Sequence, residues 1–169
     1  MKRFALLAVS VLALAFAAAT ATAAADGSYG PWEPITQRPI TAPAGVVCPF
    51  TVTAEPVAQK LKIRYHYDDA GNVDGYQVTG PLTANITNEE TGASVQRNLS
   101  GLGTVTLYPD GSYDATIQGG LLVFFLAGDT PANELLFVSG NTVLHGAPSG
   151  AKLLVSVSGS TEDLCQTLA

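Results

Sequence analysis

The chain has 169 residues, of which 47% are hydrophobic and only 13% charged, and its formal net charge is −6. A chain of this length is expected to form one domain with a hydrophobic core of its own. The acidic balance disfavours nucleic acid and anionic lipid as partners, because both are polyanions. Frequent glycine, threonine, valine and tyrosine, with few charged residues, favour β-structure.

Residues 1–25 predict a secretory signal peptide. Lys2 and Arg3 give a basic start, an almost unbroken apolar run follows, and the small residues Ala23 and Ala25 suit a signal peptidase site before Asp26. The run is short and alanine-rich for a membrane span of roughly 20 residues, so we expect a secreted protein without a stable membrane anchor. Of the eight basic residues, Lys2 and Arg3 lie in this leader, which leaves six against 14 acidic ones and a net charge of −8.

Residues 26–47 form a proline-rich arm ahead of the predicted domain, residues 48–169. The arm contains Pro31, Pro34, Pro39 and Pro43. Proline fixes φ and removes a backbone donor, so the sequence predicts an extended or polyproline-like segment rather than a helix or a central strand. The aromatic residue Trp32 is unusual in a simple linker.

From residue 50 onward, short apolar runs alternate with turn residues. The segment Lys60–Tyr67 alternates strictly between apolar and basic side chains, which is typical of a half-buried strand. Turn residues and alternation together predict strands over residues 60–67, 73–79, 82–88, 93–100, 104–108, 112–117, 121–126, 135–138, 142–145 and 152–158. A helix is predicted over Thr161–Leu168, capped by Ser160 or Thr161, and Gln118–Gly120 is interpreted as a flexible link.

The short connections decide between architectures. Links of only a few residues favour pairing of each strand with its sequence neighbour, whereas a Greek-key sandwich needs long crossings between sheets. The sequence therefore predicts an all-β, antiparallel meander that closes into an up-and-down β-barrel, which removes exposed strand edges. A β-sandwich is the alternative, because the spacing of apolar residues shows which side chains share one face of a sheet but not whether the sheet closes into a barrel.

Two cysteines, Cys48 and Cys165, remain after the leader. An exported chain meets an oxidising environment, so we predict a disulfide between them. It would close a loop of more than 100 residues. In the chain-entropy model such a cross-link raises the free energy of unfolding by roughly 4–5 kcal/mol. Two distant thiols and two histidines offer too few ligands for a zinc site, and no Cys-x-x-Cys redox pair is present.

The apolar strand Leu121–Leu126 has no polar face. An exposed apolar band on a folded protein marks an interface or something that covers it. Three coverings are open: the arm packing through Trp32, a second copy of the chain, or a ligand. The predicted interface residues are Leu121, Leu122, Val123, Phe124, Phe125, Leu126 and Trp32.

The inward face of the predicted barrel carries four tyrosines, Tyr65, Tyr67, Tyr76 and Tyr113. A small barrel is either filled by side chains or holds one small ligand, and a buried tyrosine hydroxyl needs a partner. The tyrosines therefore lie either at the rims of a solid core or around an apolar ligand pocket, where they would be the binding residues.

Evidence for catalysis or a metal is thin. His66 and His145 are the only histidines, and their roles stay open. No nucleophile elbow, phosphate-binding loop or dinucleotide fingerprint occurs, so no cofactor is predicted. A turn rich in carboxylates and amides has oxygen ligands of the calcium type but lacks the full EF-hand spacing, and no metal site is predicted. Its members are Asp68, Asp69, Asn72 and Asp74.

The chain resembles the small secreted proteins of unknown function that are common in actinobacteria. The likeness rests on the alanine-rich leader and four segments, Val47–Val52, Thr87–Gly92, Leu107–Ser112 and Glu162–Cys165. It implies a secreted domain whose two cysteines clasp its ends, and it supplies no activity.

The sequence thus favours a secreted, non-enzymatic β-domain that binds a small apolar ligand or a cell-envelope component. A structural protein that self-associates is the first alternative. A barrel-type cyclase or isomerase is the second, and it would require tyrosine, histidine or carboxylate groups to converge inside a cavity.

Overall fold

A computed structural model describes residues 27–169, so the predicted signal peptide lies outside the described residues. The strands are β1 (Ser28–Tyr29), β2 (Glu33–Ile35), β3 (Ile40–Ala42), β4 (Val52–Gln59), β5 (Leu61–Tyr67), β6 (Val73–Gly80), β7 (Leu82–Asn88), β8 (Ser94–Asn98), β9 (Gly101–Leu107), β10 (Tyr113–Phe125), β11 (Glu134–Gly146) and β12 (Lys152–Asp163), and the helix is α1 (Leu164–Thr167). Every ladder between these strands is antiparallel, so the predicted all-β, antiparallel fold is confirmed.

The strands form two sheets that the chain crosses repeatedly. The larger sheet has the order β1–β5–β6–β9–β10–β11–β12, with β2 also paired to β5, and the smaller has the order β3–β4–β7–β8. Only Lys60 separates β4 from β5, and only Pro81 separates β6 from β7. Each such pair is therefore one long, bent strand. Neighbouring bent strands pair with each other in both sheets, which confirms the predicted meander.

A row of glycines marks the bend. Five of them are partners in successive ladders: Gly80 with Gly101, Gly101 with Gly119, Gly119 with Gly140, and Gly140 with Gly159. Neighbouring backbones approach each other closely here, and a Cβ atom added to Gly119 would overlap the carbonyl oxygen of Ser100. Only glycine permits such an approach. We call these five residues the glycine row.

The glycine row corrects one prediction. Gln118–Gly120 is not a flexible link between two strands, because it lies inside the continuous strand β10. The glycines bend the strand without ending its ladder, which is the role of glycine at a sharp sheet corner. The predicted strands over 135–138 and 142–145 likewise fuse into β11.

The bend folds the larger sheet back on itself. The loop between β10 and β11 reaches the first residues of β12, where Thr130 forms a bridge with Leu153. Asp129 fixes this contact: its carboxylate accepts hydrogen bonds from the backbone N–H of Lys152 at 2.7 Å and of Leu126 at 2.6 Å. Its second partner on β12 is the Lys152 ammonium, also at 2.7 Å.

Two hydrophobic cores result. The first lies between the smaller sheet, α1 and one face of β10 and β11, and contains Val52, Ile86, Leu135, Leu164 and Leu168. The second lies on the opposite face of β10 and β11, and contains Ala115, Val123, Phe125, Leu136, Val138 and Leu144. Both faces of β10 are therefore covered by other parts of the same chain.

Side chains and a disulfide hold the remaining edges together. Within residues 27–169 no ladder is assigned between β12 and β8 or between β12 and the arm. The predicted disulfide between Cys48 and Cys165 is present. The Asn88 amide donates to the carbonyl of Leu168 at 2.9 Å, which ties the end of β7 to the residues after α1.

The helix is shorter than predicted. Its N-cap is Asp163, whose carboxylate accepts from the backbone N–H of Cys165 at 2.8 Å. The predicted caps Ser160 and Thr161 are wrong, because pairing with β11 continues β12 through Asp163. No helix within residues 27–169 has the length and apolar character needed to cross a membrane.

Candidate ligand cavity

A cavity of about 360 Å³ lies between the two sheets beside the glycine row. Its apolar walls are formed by strands of both sheets and include Leu61, Val78, Leu82, Val105, Ile117, Leu121 and Phe124. Glycines contribute much of the remaining wall, namely Gly80, Gly101, Gly103 and Gly120. Because these positions carry no side chains, the bend that brings the backbones together also leaves space on its inner side.

Gly103 shows how open this space is. A Cβ atom at this position would lie 3.8 Å from Cγ1 of Ile117 and 3.9 Å from the carbonyl oxygen of Val78, which are ordinary van der Waals distances. The same addition at Gly101 would overlap the carbonyl oxygen of Gln118. A side chain at position 103 would therefore enter the cavity without displacing the backbone.

The arm forms one side of the cavity, and we call this side the mouth because its residues Gln37, Arg38 and Ile40 are exposed. Strand β2 pairs with β5 in the larger sheet and β3 pairs with β4 in the smaller one, so residues 36–39 bridge the two sheets. Gln37 is fixed here by Gln59, since its N–H donates to the Gln59 amide oxygen at 2.7 Å and its carbonyl accepts from the Gln59 amide at 3.0 Å. Ile35, Gln37, Arg38 and Ile40 complete the lining.

Few polar groups face the cavity. Tyr76 lies in the wall, and burial raises the pKa of its phenol, with smaller contributions from Tyr113 and Tyr65. Within residues 27–169 no hydrogen bond of the Tyr76 hydroxyl is found. Among the described residues Arg38 is the one charged residue of the lining, and it is exposed on the arm.

The four predicted tyrosines are not all at this site. Tyr76 lines the cavity, and Tyr65 is its cross-strand partner on β5. Tyr113 packs beside the second core, and the ring of Tyr67 lies against the arm at Gly30. Among the four, only Tyr76 is part of the cavity wall.

The predicted interface strand is covered inside the chain. Leu122 and Phe124 pack against the first core, while Val123 and Phe125 belong to the second. Leu121 lines the cavity. The folded-back sheet thus covers Val123 and Phe125 with other parts of the same chain, and the role of this strand as an interface stays a prediction. Leu126 follows the strand and is 44% exposed.

Trp32 does not pack on that strand. Its ring lies 4.7 Å from the Arg64 guanidinium, which also sits 4.1 Å from the ring of Tyr29. Two aromatic side chains of the arm therefore hold one arginine of β5 by cation–π contacts. Self-association of the chain stays a prediction.

The two histidines lie on the outer face of the larger sheet, each with its own aspartate. His66 Nδ1 lies 2.5 Å from Asp74 and His145 Nδ1 lies 2.8 Å from Asp114. They sit on β5 and β11 with three strands between them, about 19 Å apart at roughly 4.8 Å per strand. The second ring nitrogen of His66 contacts the carbonyl oxygen of Gly27 at 3.0 Å, which leaves neither nitrogen open as a general base.

In the turn after β5, the carboxylate of Asp68 binds backbone groups of the same turn. The Asp68 carboxylate accepts hydrogen bonds from the N–H groups of Ala70 and Asn72 at 2.9 Å and 2.7 Å. Hydrogen bonds from Asn72 are the main reason that the pKa of Asp68 is lowered. Asp74 is instead engaged with His66. Within residues 27–169 no group of three or more histidine, cysteine or carboxylate side chains is placed to hold a metal ion.

Sequence reasoning missed the glycine and arm residues of the cavity. Gly103 and Arg38 carry no motif, and a periodicity analysis ignores both. The available signal was the repeated occurrence of glycine near the middle of each apolar segment. No family model, curated protein or solved structure matches this chain, so the cavity is interpreted from its own geometry.

Proposed function

We propose that the protein is a secreted β-domain that binds a small apolar molecule in the cavity beside the glycine row. The observation that carries this proposal is a volume of about 360 Å³, open on one side, whose lining is mainly apolar. Pockets for small ligands span roughly 300–1,000 Å³ and combine apolar walls with a few polar groups. The cavity has both properties.

The free energy of binding would come from burial of apolar surface. Each Å² of apolar surface removed from water contributes about 25 cal/mol. Few polar groups oppose this gain. Among the described residues Tyr76 and Thr79 are the hydroxyl side chains of the lining, and Thr79 already donates to the carbonyl of Gly101 at 3.0 Å. The cavity therefore suits a ligand that is mainly hydrocarbon.

The described lining does not favour catalysis. It contains neither a histidine nor a carboxylate, and both histidines lie on the outer face of the larger sheet. A cyclase or isomerase of the kind considered above would need an acid or base at the reacting atoms. Binding is the function that these side chains support best.

Secretion is supported by the disulfide and by the leader pattern. Cys48 and Cys165 are bonded, and structural disulfides persist in oxidising compartments. The small residues before Asp26 suit signal cleavage. An N-terminal sequence of the protein recovered from the medium, starting at Asp26, is the expected result.

The proposal can be tested by substitutions of Gly103 that add a side chain to the cavity. Linear alcohols from hexanol to dodecanol serve as probes in calorimetric titrations with the unsubstituted protein, Gly103→Ala and Gly103→Leu. Binding of the alcohols is expected in the unsubstituted protein, reduced binding in Gly103→Ala, and loss of binding in Gly103→Leu. A ligand present at a hundred times its dissociation constant also raises the free energy of unfolding by about 2.7 kcal/mol, which a thermal melt detects.

Thr106→Leu is the matched control. Position 106 lies on the same strand as Gly103 but on the outer face, outside the cavity lining. The added leucine therefore leaves the cavity volume unchanged and should leave alcohol binding intact. Absence of binding across the whole series, or equal binding by Gly103→Leu and the unsubstituted protein, would contradict the proposed function.

A further inference from the structure

We infer that the ligand is an amphipathic carboxylate, with its hydrocarbon part in the cavity and its anionic group at Arg38 on the mouth. This inference rests on the proposed function and specifies the chemical class of its ligand. Two observations carry it: the cavity wall is mainly apolar, and the one charged side chain that residues 27–169 contribute to the lining is a cation.

Within residues 27–169 three cations, Arg38, Lys60 and Lys62, have neither an ion pair nor a side-chain hydrogen bond, and of these only Arg38 belongs to the cavity lining. Arg97 pairs with Glu162 and Lys152 pairs with Asp129, and the Arg64 guanidinium donates to the Gln77 amide oxygen at 2.7 Å. No ion pair or side-chain hydrogen bond of Arg38 is found within residues 27–169. A cation kept at the cavity mouth without a carboxylate partner favours an anionic group there.

The arm holds Arg38 in place. Its neighbour Gln37 is tied to Gln59 by two hydrogen bonds, and the Gln37 amide donates to the Arg38 carbonyl at 3.1 Å. The backbone at the mouth is therefore fixed while the guanidinium remains exposed. A guanidinium presents two parallel N–H groups, which match the two oxygens of a carboxylate.

The position of the charge also sets the orientation of the ligand. Arg38 belongs to the exposed arm, whereas Val105, Ile117 and Phe124 are apolar lining residues of β9 and β10. A carboxylate at the mouth keeps part of its hydration, which avoids the large cost of burying an ion. Its alkyl chain then extends from the arm towards β9 and β10, over the glycine row.

A titration with three probes of equal chain length tests this inference. Decanoate, decanol and decylamine are titrated separately into the unsubstituted protein at a pH well above the carboxyl pKa. Decanoate is expected to bind about tenfold more tightly than decanol, the scale of one charge-assisted contact at an exposed site. Decylamine is expected to bind more weakly than decanol, because its ammonium meets the guanidinium.

Substitutions at the mouth separate charge from shape. In Arg38→Gln the preference for decanoate over decanol should disappear while the affinity for decanol is unchanged. Arg38→Lys keeps the charge but loses the paired N–H groups, so its preference should fall between the two. Lys62→Gln is the matched control, because Lys62 is an exposed cation of β5 outside the lining, and it should retain the full preference.

The outcomes distinguish the inference from the proposed function. Equal binding of decanoate and decanol, blocked by Gly103→Leu, would overturn the role of Arg38 and leave the apolar cavity as the binding site. A decanoate preference that survives Arg38→Gln would overturn it as well. Failure of all three probes to bind would count against both, and in that case the alcohol series also fails.

Discussion

Arg97 and Glu162 form a bidentate ion pair, with one hydrogen bond to each carboxylate oxygen. The Arg97 Nε donates to one carboxylate oxygen of Glu162 at 2.8 Å and a terminal nitrogen donates to the other at 2.5 Å. The Arg97 guanidinium also lies 5.8 Å from the ring centroid of Phe137. The pair connects β8 with β12, the two edges that no ladder joins within residues 27–169.

The pair predicts a pH-dependent contribution to stability. The hydrogen bond from Arg97 lowers the pKa of Glu162 despite the opposing effect of burial, and Thr167 adds to the lowering. A carboxyl whose pKa is lower in the folded state contributes stability above its unfolded pKa and loses it as the pH falls through the folded value. Glu162→Gln should therefore lower the free energy of unfolding by about 1 kcal/mol near neutral pH.

Urea denaturation at a series of pH values measures this difference. The gap between the unsubstituted protein and Glu162→Gln should close as the pH falls below about 4.5 towards the lower folded pKa. Glu90→Gln, at an exposed turn position, is the control and should change little at any pH. A gap that persists unchanged into acid would show that the variant acts through packing and not through the charge.

The arm is the element whose attachment depends on a titratable group. The pKa of His66 is raised, chiefly by its hydrogen bond with Asp74, against a smaller opposing effect of burial. The protonated ring holds the Gly27 carbonyl, and its neighbour Tyr29 packs edge-on at 4.8 Å. A raised folded pKa means that this contribution is complete below pH 6.5 and is lost as the pH rises through the folded value.

Trp32 reports on this attachment, since it is the one tryptophan of the chain. Quenching of its fluorescence by acrylamide should increase as the pH rises through the folded pKa of His66. In Asp74→Asn the transition should move to lower pH, because the group that raises the pKa is removed. His145→Gln should leave the transition in place. If the transition were lost in that variant, it would report the titration of His145 and not of His66, and the prediction would be wrong.

The alternation of apolar and polar side chains predicted the strands well where the signal lies within a single strand. Leu82–Asn88 was expected as a strand and is β7, and the alternating segment that ends at Tyr67 is β5. Gly119 and Gly140 could not be interpreted in this way, because their role depends on which residues they pair with across the sheet. A periodicity within one strand contains no information about that register.

At the scale of the whole molecule, the ends of the domain are joined by a covalent bond. Cys48 and Cys165 are separated by 117 residues, so the disulfide restricts most of the domain in the unfolded state. This bond could be predicted from composition alone. The cavity could not, because Arg38, Gly103 and Ile117 come from three separate parts of the chain and meet only when the sheet bends.

The stability of the whole fold is predicted to depend on the glycine row, because five strands must bend together to form the fold and the cavity. Gly140 has a φ of 98°, and a Cβ atom there would overlap the carbonyl oxygen of Ser158. A left-handed conformation costs a residue with a Cβ about 1–3 kcal/mol, and the overlap adds to this cost.

Gly140→Ala should therefore lower the free energy of unfolding by more than about 3 kcal/mol and weaken ligand binding, because the strands can no longer approach at the bend. Gly103→Ala, on another strand of the same sheet, is the matched control for the change in stability only, since Gly103 itself lines the cavity. Its Cβ finds ordinary contact distances, and loss of glycine from the unfolded chain favours folding by roughly 0.4–1 kcal/mol. Chemical denaturation of both variants measures the contrast. If Gly140→Ala were as stable as Gly103→Ala, the bend would not depend on close approach at the row, and side-chain packing of the two cores would have to hold it instead.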